Sequence, residues 1–148
     1  MTRVDFYVLE DSAPQARERL ACRLADKAFR LGHRVYIHTR SREQATALDD
    51  LLWTFRQGSF VPHDLHGKEG GAGSPVLIGH GDVPDDHHEL LINLADQVPS
   101  FFSRFERVME TVDQSEAQRL SGRERFRFYR DRGYALQTHT LSAQAEDE

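Results

Sequence analysis

The sequence predicts an α/β fold in which helices cover a mostly parallel central sheet. The first indication is the order of apolar patterns: the chain begins with strand, helix, strand and helix, which favours parallel strands joined by right-handed crossovers. The second is length, because 148 residues suit one domain that buries about two thirds of its unfolded surface. The third is composition, since 39% hydrophobic residues and nine Phe fit a packed core beneath a well-charged surface.

The first half of the chain supplies this alternating start. Residues 4–9 alternate in hydrophobicity and predict the first strand. A helix is expected to follow, with Ser12 as its N-cap, Pro14 in its first turn and Gly32 at its end. Residues 35–37 predict the second strand.

The second helix is marked by its cap and its apolar side. Ser41 followed by Gln44 resembles a capping box. The apolar side consists of Ala45, Leu48, Leu51, Leu52 and Phe55.

The rest of the chain shows no internal repeat and no second domain. Residues 58–75 are irregular in pattern and predict a connecting loop. The later strands are predicted over residues 75–78, 89–94 and 106–112, with a helical turn over 99–104. Ser115 is expected to cap a final helix over residues 116–132, ended by Gly133. We expect a single domain over residues 1–141 and a flexible acidic tail over 142–148.

The cysteine content and the apolar runs indicate the compartment. The single cysteine, Cys22, lies in an apolar helical pattern and is predicted in the core, which excludes an internal disulfide and fits a reducing compartment. No apolar run approaches the ~20 residues of a membrane-spanning helix. We expect a soluble cytoplasmic protein with no membrane contact.

Nucleotide chemistry is not expected. The turn after the first strand, where doubly wound folds hold phosphate, contains Glu10 and Asp11 and no glycine. In the Gly-rich stretch, Lys68 is followed by Glu69, where a Walker A loop requires Ser or Thr. We therefore predict no nucleotide site and no cofactor.

Metal and catalytic sites are not expected either. His80, Asp82, His87 and His88 are close in sequence, but they match no known zinc spacing and fit a solvated loop better. No Ser lies on a Gly-flanked elbow, and no carboxylate pair has a context for acid–base work. The sequence predicts a protein without an active site.

Charge is segregated along the chain, although its net value is only −5. That net charge argues against wholesale nucleic-acid binding, which needs clustered cations. Residues 119–132 nevertheless hold six Arg, whereas residues 82–89 hold four carboxylates and no Lys or Arg. We expect function where charge is segregated.

The final helix concentrates its cations on one face. At 100° per residue, an arc of about 100° holds this set: Arg119, Arg123, Phe126, Arg127 and Arg130. Ala117, Ser121 and Phe128 are expected to face the sheet, and Arg125 and Arg132 lie on the far side. The spacing alone leaves three interpretations open: capture of an acidic peptide with an aromatic or terminal carboxylate, a solvated basic face, and binding of single-stranded nucleic acid.

A second apolar group lies at the end of the second helix and in the following loop. It consists of Trp53, Phe55, Phe60, Val61 and Pro62. Large apolar residues of this kind anchor interfaces, and they also pack under loops as core. Both interpretations stay open.

These segments resemble the chi subunit family of bacterial DNA polymerase III over about residues 3–140. The motifs that carry the resemblance are VDFYVL at 4–9, the first helix with Cys22, LDDLLW at 48–53, SFVPH at 59–63 and RERFRFYR at 123–130. The resemblance implies a Rossmann-like three-layer sandwich without a nucleotide. It also implies a non-catalytic accessory subunit that pairs with the psi subunit, which joins it to the clamp loader.

The resemblance further implies capture of the acidic C-terminal tail of single-stranded DNA-binding protein. By position, this tail site falls on Val112, Arg119, Arg123, Phe126 and Arg127, with Arg130 on the same helix face. Arg123 would hold the terminal carboxylate. The psi contact falls on Trp53, Phe60, Val61 and Pro62, with Phe60 central. DNA would then be contacted only indirectly, at replication forks.

The sequence departs from the family at a few positions. Relatives often have Tyr at the position of Phe126 and Lys at that of Arg119 or Arg127, so charge and ring are kept but a phenolic hydroxyl is lost. The acidic segment 82–89 and residues 146–148 have no family role, and they could compete weakly for the Arg face. The alternative function is a direct single-stranded nucleic-acid-binding module.

Overall fold

The structure, a computed structural model, describes residues 1–67 and 73–142. The strands in these ranges are β1 (Arg3–Leu9), β2 (Val35–His38), β3 (His63–Leu65), β4 (Val76–Gly79), β5 (Leu90–Asn93), β6 (Arg107–Val112) and β7 (Ala135–Leu141). The α-helices are α1 (Ala16–Arg30), α2 (Arg42–Thr54) and α3 (Glu116–Asp131), and a 3₁₀ turn spans Phe102–Arg104. The Gly-rich residues 68–72 and most of the predicted acidic tail, residues 143–148, lie outside the described residues.

The described strands form one sheet in the order β3-β4-β2-β5-β6-β1-β7, and every pair is parallel. This confirms the predicted α/β fold with its parallel sheet. Arg3 of β1 is in register with both Arg107 of β6 and Ala135 of β7. The first and last strands of the chain are therefore direct neighbours.

Helices cover both faces of the sheet. On one face, Cys22 of α1 and Leu48 of α2 belong to the same apolar cluster as Ile37 of β2. On the other face, Phe102 of the 3₁₀ turn and Tyr129 of α3 pack on a cluster that includes strand residues of β1, β2 and β6. The result is the expected three-layer sandwich, with Cys22 fully buried. None of the described helices has the length and apolarity needed to cross a membrane.

The start of α1 differs from the prediction. The helix begins at Ala16, after Gln15 in the left-handed region with a φ of 62° and without a side-chain cap. The prediction of Ser12 as N-cap is therefore wrong, and Pro14 lies in the turn before the helix. A backbone hydrogen bond from Ala16 to Ala13 (3.0 Å) closes that turn, so the chain enters the helix later than the sequence signals indicate.

The caps of the other two helices are confirmed. The Ser41 hydroxyl accepts a hydrogen bond from the Gln44 amide (3.1 Å), and the Gln44 side chain accepts one from the Arg40 amide (2.9 Å). Ser115 accepts from the Gln118 amide at the start of α3, and the chain leaves that helix through Gly133 at a φ of 79°. These local signals depend on side chains within four residues, which explains why the sequence identifies them.

Two edge strands were not predicted. The connecting loop predicted over residues 58–75 contains β3, which pairs with β4, and β7 pairs with β1 beyond the predicted final helix. β3 has three residues, and β7 carries only Leu136 and Leu141 as large apolar residues. Edge strands with so little apolar pattern form because a neighbouring strand supplies hydrogen bonds.

Candidate functional site

A groove of about 320 Å³ lies between α3 and the strands at the β7 end of the sheet. β1 and β6 contribute Phe6, Val8 and Val112 to its apolar floor, and Thr138 of β7 lines it as well. The remaining lining residues come from α3: Gly122, Arg123, Phe126, Arg127 and Arg130. Five of the six residues predicted for tail binding therefore line one groove; Arg119 does not.

The ring of Phe126 forms part of the groove rather than projecting freely into solvent. It is half-buried, and it meets the ring of Phe6 edge to face, with 5.2 Å between centroids. Val112, 7% exposed, lies below it. An apolar group entering the groove would thus meet aromatic and aliphatic surface already fixed by the sheet.

Exposed guanidinium groups surround this apolar floor. Arg123, Arg127 and Arg130 are exposed, and Arg119 is exposed one turn closer to the helix start. Arg130 pairs with Asp131 at 3.1 Å. Within residues 1–67 and 73–142, no carboxylate lies within ion-pair distance of Arg119, Arg123 or Arg127. The groove is therefore an apolar slot flanked by exposed guanidinium groups.

α3 is fixed to the sheet by a buried ion pair. Glu110 of β6 is fully buried, and its Oε1 accepts from Arg125 Nε at 2.9 Å. The Tyr129 hydroxyl donates to Oε2 of the same carboxylate at 2.7 Å, and the Asn93 amide also donates to it. Burial and the neighbouring Glu110 carboxylate raise the pKa of Tyr129 well above its usual range. A second Arg125 nitrogen donates to the Thr111 carbonyl at 3.1 Å.

This network corrects the predicted orientation of α3. The helix residues that face the sheet are Gln118, Gly122, Arg125 and Tyr129. Ala117 is exposed, whereas Phe128 packs edge to face on Phe102 with 5.6 Å between centroids. Arg132, also placed on the far side, stacks its guanidinium 3.6 Å from the centroid of Phe128. Arg125, predicted on the side of α3 away from the cationic face, is buried there because its partner Glu110 lies on a strand of the sheet.

A second surface lies at the β3 end of the sheet. Trp53 at the end of α2 is 53% exposed, Phe60 in the following loop is 64% exposed, and their ring centroids are 5.7 Å apart. Pro62 is half-buried beside them. Val61 differs from its predicted surface role: it is 1% exposed and packs in the core. The apolar end of the molecule thus consists of Trp53 and Phe60, with Pro62 at its margin.

Buried His63 supports this apolar end from below. Its ring lies 4.5 Å from that of Trp53, centroid to centroid. Its ring nitrogens lie 2.6 Å from the Val61 carbonyl oxygen and 3.0 Å from that of Asp49. These contacts tie the loop of Phe60 to α2, so the two exposed rings rest on a fixed base.

The acidic segment 82–89 contacts side chains outside α3. Asp86 pairs with Arg34 at 3.0 Å, and Glu89 lies 3.0 Å from His33. Hydrogen bonding with His33 and with the Arg34 amide lowers the pKa of Glu89. These contacts lie next to the beginning of β2.

The described residues show little that fits catalysis or metal binding. No group of three or more His, Cys, Asp and Glu side chains is arranged to hold a metal ion within residues 1–67 and 73–142. Burial raises the pKa of the Cys22 thiol to about 12, so the nucleophilic thiolate is scarce near neutral pH.

Comparison with known proteins links the chain to one family. The family model described as "DNA polymerase III chi subunit, HolC" matches residues 1–137. A DNA polymerase III subunit chi from Pseudomonas aeruginosa is 48% identical over 141 residues, covering 95% of this chain and 98% of the relative. Those from Haemophilus influenzae and Escherichia coli are each 32% identical, covering 92% and 95% of this chain and 95% and 99% of the relatives.

A solved structure shares the fold. The crystal structure of T4 UvsW matches with a TM-score of 0.66 at 11% identity. The match covers 96% of this chain and 42% of the T4 UvsW chain. At this identity the likeness concerns the fold alone.

Proposed function

The chain belongs to the DNA polymerase III chi subunit family, and on that premise we propose that it joins the polymerase assembly to DNA coated with single-stranded DNA-binding protein. Membership makes it an accessory subunit in DNA replication, with a non-catalytic role at the level of the family. The α3 groove captures the acidic C-terminal tail of single-stranded DNA-binding protein. The Trp53 and Phe60 surface contacts the psi subunit.

The observation that carries the tail proposal is the groove itself. Its floor of Phe6, Val8 and Val112 suits an apolar terminal side chain, while Arg123 and Arg127 stand beside it. A guanidinium can hold a carboxylate through two parallel hydrogen bonds, and acidic residues before the terminus would add long-range attraction. A peptide that ends in Phe and carries preceding carboxylates satisfies both parts of the groove.

Arg119 extends the same interaction. It lies outside the groove lining but is exposed on α3 one turn from Arg123, nearer the helix start. A peptide with its terminus in the groove would run past this cation, so Arg119 meets the acidic residues upstream. We assign Arg123 to the terminal carboxylate, and Arg119 and Arg127 to the side-chain carboxylates.

A labelled acidic peptide ending in Phe tests this site. Fluorescence anisotropy should give a Kd that rises about tenfold or more in Arg123→Ala, the loss expected for a charged hydrogen bond. Arg19→Ala is the matched control, because Arg19 is an exposed cation on α1, in the opposite layer. Unchanged affinity in Arg123→Ala contradicts the proposal. A naked oligonucleotide that competes for the same site at physiological salt would favour the nucleic-acid-binding alternative.

The psi proposal rests on exposed apolar area. Phe60 and Trp53 are more than half exposed, and large rings at the centre of an interface contribute much of its binding energy. Their fixed base on His63 limits the ordering entropy lost on association. The sheet order supports a bridge, because α2 and α3 lie toward opposite ends of a sheet roughly 30 Å wide.

Co-expression with psi tests this surface. Phe60→Ala should reduce the psi recovered with the chain by about tenfold or more, while Leu31→Ala should not. Leu31 is the matched control, since it is 66% exposed on the end of α1. Thermal unfolding of Phe60→Ala should match the wild type. Psi recovery equal to that of the wild type contradicts the assignment, and an unfolded variant would show that Phe60 is needed for stability rather than for psi binding alone.

A further inference from the structure

A cleft of about 550 Å³ lies outside the carboxyl ends of three neighbouring strands. Segments that follow β2, β4 and β5 line it, and they contribute His38, Arg40, His80 and Phe101 among others. No residue of the α3 groove takes part. The cleft is thus a separate site on the described part of the chain.

The topology places this cleft where parallel α/β sheets bind ligands. The connections from β1 to β2 and from β2 to β3 run through α1 and α2, on one face of the sheet. Those from β5 to β6 and from β6 to β7 run through the 3₁₀ turn and α3, on the other face. β2 and β5 are neighbours, so the change of face opens a crevice between their carboxyl ends.

Groups suited to an anion line the crevice near α2. Arg40 is exposed in the cleft, and no carboxylate within residues 1–67 and 73–142 is in ion-pair distance of it. His80 and Thr39 add two further polar side chains to the lining.

His38 also lines the cleft, and its side chain is partly buried. Its Nδ1 is inaccessible to solvent and makes no hydrogen bond within the described residues. Desolvation and the nearby His80 lower the pKa of His38 to about 4, so its ring is neutral near pH 7. Phe101 packs edge to face on it, with 5.2 Å between centroids, and remains partly exposed to the cleft.

One carboxylate also lines the cleft but is engaged elsewhere. Asp96 Oδ1 accepts from the side-chain amide of Gln118 in α3 at 3.0 Å. The Asp96 backbone carbonyl also accepts from Ser121 and Arg125. These contacts hold Asp96 on the α3 side of the cleft, where its carboxylate keeps its charge, whereas Arg40 follows β2 on the α2 side.

We propose that this cleft binds a phosphate group attached to an aromatic base, as in a nucleoside monophosphate or the 5′-phosphorylated end of a DNA strand. Arg40 holds the phosphate, and Phe101 stacks on the base. The site differs from the turn after β1, where Glu10 and Asp11 repel phosphate. It is independent of tail capture by α3.

Titration of the full chain with thymidine monophosphate tests the proposal. NMR signals of the His38 and His80 rings report binding during the titration. We expect saturable chemical-shift changes with a Kd in the millimolar range. The Kd should rise at least about tenfold when thymidine replaces the nucleotide and in Arg40→Ala. Arg3→Ala is the charge-matched control, because Arg3 lies at the amino end of β1, whereas the cleft lies at the carboxyl ends of the strands. Arg123→Ala should also bind normally, which separates this site from the α3 groove.

Oligonucleotides with and without a 5′ phosphate distinguish the two sources. Tighter binding of the phosphorylated strand than of thymidine monophosphate assigns the site to a strand end, whereas equal or weaker binding assigns it to free nucleotide. Absence of saturable shifts up to about 10 mM of either probe overturns the proposal. Equal affinity in Arg40→Ala, or loss of binding in Arg123→Ala, overturns it as well.

Discussion

The two ends of the sheet present aromatic rings in opposite ways. At the β7 end, Phe126 is half-buried against Phe6 and stands among exposed arginines. At the β3 end, Trp53 and Phe60 are exposed and rest on the buried ring of His63. The first arrangement suits a charged partner with one inserted side chain, and the second suits a partner with a complementary apolar surface. One small domain can therefore engage two partners whose interactions respond to different conditions.

The helices at these ends are also anchored differently. α2 packs through Ala45, Leu48 and Leu52, which are apolar. α3 is anchored through Arg125 and Tyr129, both hydrogen-bonded to the buried carboxylate of Glu110. The charged end thus has a charged anchor, and removing one partner there leaves an uncompensated buried ion.

The largest expected effect tests this anchor. Arg125→Ala should lower the free energy of unfolding by about 3–5 kcal/mol, because it leaves the Glu110 carboxylate buried without its cation. Arg130→Ala should cost less than about 1 kcal/mol, since its pair with Asp131 is exposed. Urea denaturation measures both variants. A stable Arg125→Ala would mean that the buried pair does not fix α3.

The next effect separates the two surfaces by salt. Raising NaCl from about 0.1 to 1 M shortens the Debye length from about 10 to 3 Å. We expect the acidic peptide to bind about tenfold more weakly at high salt, because the arginines of α3 are exposed. Association with psi should change little. Parallel titrations check this, and equal salt dependence of the two partners would contradict the contrast.

A smaller effect is expected from the close contact between α3 and β6. A Cβ on Gly122 would lie 3.0 Å from a methyl carbon of Val112, on the groove floor. Gly122→Ala should therefore shift the groove and weaken the peptide about threefold, while psi binding stays the same. Gly73→Ala is the control, as no atom of the described residues lies within 4 Å of the added carbon. Wild-type peptide affinity in Gly122→Ala would show that Val112 can shift without changing the peptide-binding groove.

The smallest effect concerns pH. Burial raises the pKa of Asp5, but hydrogen bonds from His139 and Arg107 outweigh it, and the net shift is below the ordinary value of 3.8. A lowered pKa in the folded state stabilises the fold above the unfolded pKa, and this contribution is lost as pH falls through the folded pKa. Asp5→Asn should therefore flatten the pH dependence of unfolding below about pH 4, by less than about 1 kcal/mol. An unchanged acid slope would contradict this.

The sequence was informative where a signal is local. The caps at Ser41 and Ser115 and the shared face of Arg123 and Phe126 depend on neighbours along one helix. The orientation of α3 was not predictable in this way, since Arg125 is oriented by Glu110 on a strand. β7 escaped prediction for the same reason: its partner, β1, is at the other end of the chain.

Single-residue exposure was also beyond the sequence. Phe60 and Val61 are adjacent and both apolar, yet one is 64% exposed and the other 1% exposed. The loop conformation decides which of them faces the solvent, and contacts such as that of His63 with the Val61 carbonyl fix that conformation. The helical spacing of α3 predicted which residues share a face but not the strand residues that complete the groove. Phe6, Val8 and Thr138 come from β1 and β7, which are distant in sequence.

The pairing of β1 with β7 sets the order in which a growing chain can be completed. Synthesis delivers the amino end first, so β1 waits for its outer neighbour until residues 135–141 have left the ribosome. The exposed rings of the α2 surface belong to residues 53 and 60, which leave the ribosome much earlier. A nascent chain therefore contains the two exposed rings before it contains β7, whose Thr138 lines the arginine groove. A chain stopped before residue 135 would lack this part of the groove lining.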